Sequence, residues 1–248
     1  MQNSNMVAEY IDHMGSDLSV VNSAKASFGK VDTEFKPKEH TRLINYLARG
    51  ITQADYDELV KSVADCTNTE WVQEQMEHYR RTPTHFSVFC HATISIRFKA
   101  PIAIHAQFMK HTVGFSHNSS SRRYISDTPE LFVPVFREKP TGNIKQGSGD
   151  TVKDNIYWQA IYSEQCTQAI NLYDTMIVAG ISPEQARFVL PQGVMTEWVT
   201  TGSLYAWARL YNLRADGHAQ KEIQTLAHMI ELIVEPLFPV SWAALTGQ

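Results

Sequence analysis

One stretch constrains the fold more than any other. From Phe86 to Phe98 the side chains alternate step by step. Phe86, Val88, Cys90, Ala92, Ile94, Ile96 and Phe98 fall on one side, and Ser87, Phe89, His91, Thr93, Ser95 and Arg97 on the other. Successive strand residues point to opposite faces, so this spacing predicts a half-buried strand with its apolar face on a core. Such a strand needs partners, so the chain must build a sheet. The same spacing puts Cys90 on the apolar face, where burial keeps a thiol inert.

Further strands are expected at Val7 to Asp12 and Leu131 to Arg137, with a turn at Met14-Gly15-Ser16-Asp17 and a helix from Leu18 to Ser27. Leu43, Ile44 and Leu47 form a helical stripe that stops at Gly50. Thr52 can cap a helix carrying Leu59, Val60 and Val63, and another helix covers Trp71 to Tyr79. Pro101 suits the first turn of a helix running toward His111. Thr141 to Asp150, rich in Gly and polar residues, reads as a loop.

After that loop the pattern is helical. Asp154 to Ala179 carries Ile161, Ala169, Ile170, Tyr173 and Ile177. Ser182-Pro183-Glu184-Gln185 opens a short helix that ends before Pro191. Ser203 to Arg214 follows, then His218 to Val234 with Ile223, Leu226, Ile230 and Ile233 on one face. The order predicts an α+β fold: a small antiparallel or mixed sheet packed with a predominantly helical C-terminal half, in a single domain over 1–248 with a helical segment at about 30–80.

Composition excludes several classes. The formal net charge is −4, which disfavours general nucleic-acid binding, so an anionic ligand must meet a local cluster of cations. Cys66, Cys90 and Cys166 are odd in number and widely spaced. They match no zinc pattern, so neither a metal site nor a disulfide framework is expected, and the reducing cytoplasm is the expected location. No apolar run reaches the length of a membrane span, and residues 1–10 lack a secretory leader pattern.

The unusual chemistry lies in Lys110 to Tyr124, a run of cations, histidines, hydroxyls and amides. Read as a loop, it offers the donors and positive charge that a phosphate or nucleotide requires. By composition alone it equally describes a polar surface loop. Arg187 stands in an otherwise apolar turn, and Asn212 to Gln220 crowds Arg214, Asp216, His218 and Gln220 between helices. Taken singly, an arginine like Arg187 is more often a salt-bridged surface residue.

Taken in order, these segments resemble the flavin-dependent thymidylate synthases. Lys99-Ala100-Pro101-Ile102 matches that family's Lys-Ala-Pro-Ile, and Gln107 stands where its Gln precedes the signature. The Arg-His-Arg signature is Lys110-His111-Thr112 here, and its Ser-Gly-Arg-Tyr is Ser121-Arg122-Arg123-Tyr124. Ala186-Arg187-Phe188-Val189-Leu190-Pro191 resembles Ala-Arg-x-Val-Leu-Pro. Asn212-Leu213-Arg214-Ala215-Asp216-Gly217-His218-Ala219-Gln220 resembles Asn-Leu-Arg-Ala-Asp-Ser-His-Ala-Gln. Met14 to Val21 and Ala26-Ser27-Phe28 also match.

The resemblance implies a homotetramer with shared active sites that methylates dUMP to dTMP. FAD carries the one-carbon unit and the hydride, methylenetetrahydrofolate donates the carbon and NADPH is the reductant. It implies Ser121 and Arg214 as catalytic residues, with Gln107, Ser119, Ser120, Arg122, Arg123 and Arg187 also on the nucleotide. The flavin falls to Ser27, Thr82, His85, Lys110, His111, Thr112, Asn118, Ser203, Arg209 and His218.

Several positions depart from the family. The spacer before Ser121 is one residue longer, Ser119 replaces a Glu beside the base, and His85 replaces a flavin-contacting Glu. Ser203 and Tyr205 stand near a flavin-contacting Asn and Arg. The Ser119 change motivates an alternative: C5 hydroxymethylation, or methylation of another pyrimidine nucleotide. A non-catalytic binder is disfavoured, since a scaffold has no need of Arg123, Arg187 and Arg214 as buried cations.

Overall fold

The computed structural model describes residues 4–50, 53–74, 85–140 and 147–247. The elements run β1 (Val7–Met14), α1 (Asp17–Lys25), α2 (Pro37–Arg49), α3 (Gln53–Ala64), β2 (Thr93–Pro101), α4 (Ile102–Phe108), β3 (Phe115–Ser119), α5 (Asn155–Val178), α6 (Pro183–Ala186), β4 (Met195–Ser203), α7 (Leu204–Arg214), α8 (Lys221–Val234) and α9 (Pro239–Thr246). The fold is α+β. A four-stranded antiparallel sheet in the order β1-β2-β4-β3 lays its apolar face on helices.

The alternation at 86–98 is strand only in its second half. Ile94, Ile96, Phe98 and Ala100 are fully buried along β2, and Ala92 is buried just before it. Phe86–Cys90 instead coils into a 3-10 turn that leaves Phe86 and Cys90 exposed and buries Phe89, so the expected burial of Cys90 fails. The reason is pairing. Thr93 is the first β2 residue opposite both neighbours, Met14 on β1 and Ser203 on β4. Short of it the backbone has no strand to bond, and a local turn satisfies it instead.

Three further expectations change. Leu131 to Arg137 forms no strand and contributes only the bridges Leu131↔Val194 and Arg137↔Thr151. Lys110 to Tyr124 is not all loop, since it contains β3. The central strand β4 was unforeseen: Thr196, Glu197, Thr200 and Thr201 break its apolar pattern, yet Trp198, Thr200 and Gly202 are buried between β2 and β3. Gly202 lies opposite Phe115, and a Cβ there would fall 2.3 Å from the phenyl ring. Only glycine lets that ring cross the strand so closely.

The core under the sheet is aromatic. Phe98 stacks on Trp198 at 5.2 Å, Phe108 lies 5.3 Å from Trp198, and Phe115 meets Trp207 edge-on at 4.8 Å. Trp207 is fully buried and donates its indole N–H to the Ile94 carbonyl at 3.1 Å. Helix α8 presents Ile223, Leu226, Ala227, Ile230 and Val234 to this core, the spacing of one helical face. Helix α9, which no sequence pattern announced, is held at its start by buried Asp17. That carboxylate accepts the Val240 and Ser241 N–H groups, each at 2.9 Å.

Helix α5 is more exposed than its apolar content suggested. Cys166, Ile170 and Tyr173 are its buried residues, while Ile161, Ala169 and Ile177 are only partly covered. The helix at Trp71 is described over 69–74, and the rest of that expected segment, with Thr52 and the loop at 141–146, lies outside the described residues. Among the described residues no helix is long and apolar enough to cross a membrane.

Candidate active site

Strand β2 runs straight into α4, and β4 straight into α7. The connection after α4 carries Lys110-His111-Thr112, and α7 ends on Arg214. The two ends meet: Arg214 donates Nε–H to His111 Nε2 at 2.8 Å. A ring nitrogen that accepts carries no proton, so His111 is the neutral tautomer protonated on Nδ1. Burial, reinforced by the charges of Arg214 and Arg209 and by His117, holds its pKa down at about 4. From β3, His117 donates Nε2–H to the His111 carbonyl at 2.8 Å. Its Nδ1 pairs with the hydroxyl of buried Thr200 at 2.9 Å. Gly114, at φ 81, turns the chain into β3; a Cβ there would lie 2.9 Å from Ala206 Cβ.

The His111 titration can be checked by histidine NMR, with an expected midpoint near 4 rather than the ordinary 6.5. The folded-state pKa lies below the unfolded one. Neutral His111 therefore favours the native state fully above pH 6.5, and that contribution fades as the pH falls through about 4. A midpoint at or above the ordinary value would mean that the ring is neither buried nor held by Arg214.

Beside this pair is a cavity of about 660 Å³. Gln107, Arg137, Arg214, His218, Gln220 and Glu222 line it together with apolar Pro134, Val135 and Phe136. Gln107 Oε1 and Arg137 Nε are both buried and without a partner. Arg137 was missed by sequence reasoning, because nothing in its local pattern marks it. His105 was also missed, and His117 was read only as one of the histidines of the Lys110 to Tyr124 run. His218 bonds Asp216 Oδ1 at 2.9 Å through Nδ1.

A second group gathers at α6. Arg123 Nε lies 3.4 Å from Glu184 Oε2, and Arg187 donates Nε–H to the Glu184 carbonyl at 3.2 Å. Both arginines are exposed and neither lines the cavity. The expectation of three buried cations therefore fails: Arg214 alone is half-buried. The cause is the short helix α6, which sits at the surface where a guanidinium stays hydrated. Nearby, Ser119 Oγ pairs with His105 Nε2 at 2.9 Å, and burial, with His117, lowers the His105 pKa. Ser120 Oγ accepts the Glu197 N–H at 3.2 Å, Ser121 Oγ accepts the Arg123 N–H at 3.3 Å, and Arg122 bonds the Asp127 carbonyl.

The residues expected on the flavin are more scattered. Ser27, Lys110, Thr112 and Asn118 are exposed, and Thr82 lies outside the described residues. Ser203 is buried, with its hydroxyl accepting the Ala206 N–H at 3.2 Å as the cap of α7. His85 is exposed, 5.6 Å from the Tyr46 ring. Phe86 and Tyr205 lie 5.2 Å apart, and Arg209 sits over Tyr205 at 5.7 Å. An accessible set of rings beside a guanidinium fits a planar ring system that carries phosphates. Elsewhere, Asp32, Glu39 and His40 bring possible metal ligands together. Lys25 bonds Asp32 and Glu39 and lies 3.4 Å from His40 Nε2, so an ammonium group holds that centre.

This arrangement can be set beside known proteins. The family model described as thymidylate synthase complementing protein matches residues 9–240. The chain belongs to that family. Membership makes it an enzyme of the methyltransferase class. It is 28% identical over 236 residues to the flavin-dependent thymidylate synthase of Kosmotoga olearia, covering 94% of this chain and 87% of that one. It is 27% identical over 234 residues to the enzyme of the same name from Thermus thermophilus, covering 94% and 73%. In three dimensions it is similar to a UMP/dUMP methylase, PolB from Streptomyces cacaoi, solved with 5-Br dUMP. The TM-score is 0.77 at 23% identity, over 99% of this chain and 96% of that one, a likeness of fold.

Proposed function

We propose that this family member is a flavin-dependent thymidylate synthase that converts dUMP to dTMP, with FAD, methylenetetrahydrofolate and NADPH. The observation that carries the reading is the neutral His111 locked to Arg214 beside the Gln107 cavity. Arg214 keeps its charge and is tied down on one side by His111, so its remaining N–H groups can donate to the uracil carbonyls as the ring takes up charge. Arg123 and Arg187, gathered at Glu184, suit forked hydrogen bonds to the nucleotide phosphate. Ser121 stands beside the base. His111, His85 and Arg209 hold the flavin, together with Ser27, Thr82, Lys110, Thr112, Asn118, Ser203 and His218. When bound, the flavin supplies transfer of the one-carbon unit and the hydride.

The cavity and the Arg123–Arg187 pair share no lining residue, so one chain does not gather the whole set in one pocket. That split supports a homotetramer in which subunits complete each other's sites. The Ser119–His105 hydrogen bond favours one alternative outcome, because a neutral hydroxyl stands where the family has a carboxylate. Hydroxymethylation, or methylation of another pyrimidine nucleotide, would follow from it.

Mass spectrometry of the product settles the choice. With dUMP, FAD, NADPH and methylenetetrahydrofolate, a nucleotide heavier by one methylene is expected. A hydroxymethyl product, or turnover of UMP or dCMP only, would replace the main reading by the alternative. A protein that releases no flavin on denaturation and binds none added would refute both.

A further inference from the structure

Arg137 lines the cavity, yet neither the family resemblance nor the proposed reaction uses it. Its surroundings are anchored. Its backbone bridges Thr151, the Phe136 N–H donates to Asn155 Oδ1 at 2.8 Å, and the Glu138 N–H donates to the Asp150 carbonyl at 2.8 Å. Its Nε is buried without an acceptor, and it makes no ion pair with a described residue. Orphaned buried donors are rare in folded proteins, because each forfeits its hydration for nothing in return. A ligand that supplies an acceptor removes the deficit.

Gln107 Oε1 is the second orphan in the same lining, and a carbonyl oxygen can only accept. With Arg214 the lining thus sets two guanidinium donors beside the Gln107 acceptor. A phosphate dianion has no hydrogen to give Gln107, and Arg123 and Arg187 stand elsewhere. The imide edge of uracil runs carbonyl, N–H, carbonyl, which complements donor, acceptor, donor. Cytosine reverses that pattern at the amino group and the ring nitrogen. Pro134, Val135 and Phe136 add an apolar wall suited to a ring face.

We propose that Arg137 is a further substrate-binding residue that, with Gln107 and Arg214, reads the imide edge of a uracil ring. The inference rests on the reading of the substrate as a uracil nucleotide. It is tested with Arg137→Met, which keeps the aliphatic stem, and with Arg137→Gln alongside it, each as full chain with FAD supplied. Parent and variants are titrated with dUMP, deoxyuridine and dCMP by ligand-observed NMR and equilibrium dialysis. Both variants should bind dUMP and deoxyuridine about 10- to 100-fold more weakly, by the same factor for each, the size of a lost hydrogen bond to a charged group. The parent's preference for dUMP over dCMP should shrink in step. Unchanged dUMP affinity in a variant that melts like the parent overturns the role of Arg137 and leaves the synthase reading intact. A loss for dUMP but not for deoxyuridine marks a phosphate contact and overturns the imide assignment. A parent that binds none of the probes overturns both the inference and the reading beneath it.

Discussion

Replacing Arg214 by Ala is expected to lower turnover of dUMP by about 10²- to 10³-fold, the usual effect of removing one preorganised donor from a developing negative charge. The geometry makes this residue hard to substitute. Its Nε is committed to His111 at 2.8 Å, which orients the guanidinium and leaves its other N–H groups for the ligand. Arg214→Lys keeps a positive charge but not the planar fork, and should recover only part of the loss. The same change has a second readout. Arg214 is one cause of the low His111 pKa, second to burial, so the His111 midpoint should rise from about 4 toward the ordinary value in Arg214→Ala. A merely structural arginine would move neither quantity without also lowering the melting temperature. If Arg214→Ala turned over dUMP like the parent, the role proposed for this residue would be wrong.

Trp207→Ala should give the largest loss of stability, about 3–5 kcal/mol, typical of deleting a buried indole. The side chain is fully buried, its N–H is bonded to the Ile94 carbonyl at 3.1 Å, and its face is met edge-on by Phe115 at 4.8 Å. Deletion leaves a void under β3 and removes the indole hydrogen bond to β2. For a chain of this size the melting temperature should fall by roughly 10 °C. The effect should reach the site. Phe115 and His117 are neighbours along β3, with ring centroids 5.7 Å apart, and His117 holds the His111 carbonyl. A variant folded at low temperature should therefore show weaker nucleotide binding as well. A melting temperature within a degree or two of the parent's would mean that the helix layer does not depend on this contact.

The helices and the motif strings were legible in the residues themselves. The stripe ending at Gly50, the face Ile223, Leu226 and Ile230 on α8, and the Pro183 start of α6 all rest on rules that span a turn or two of chain. The same is true of Lys99 to Ile102 and of Asn212 to Gln220, whose order alone pointed to the family. In each case the physical cause is a neighbour a few residues away, which a linear reading contains.

The sheet and the site were decided at long range. Where β2 begins depends on Met14 and Ser203, and β4 is a strand because β2 and β3 flank it, whatever its own pattern suggests. Asp17 caps a helix more than two hundred positions away, and Arg214 finds His111 across 103 residues. Arg187 could be read as a ligand contact or a surface residue; the surface position of α6 made it exposed and set it with Arg123 at Glu184. Arg137 carries no local mark at all, and only the cavity shows its donor without a partner. Strand pairing, burial and unmet hydrogen bonds belong to pairs of segments. The sequence by itself determined which groups are available, and the tertiary structure alone determined which of them meet.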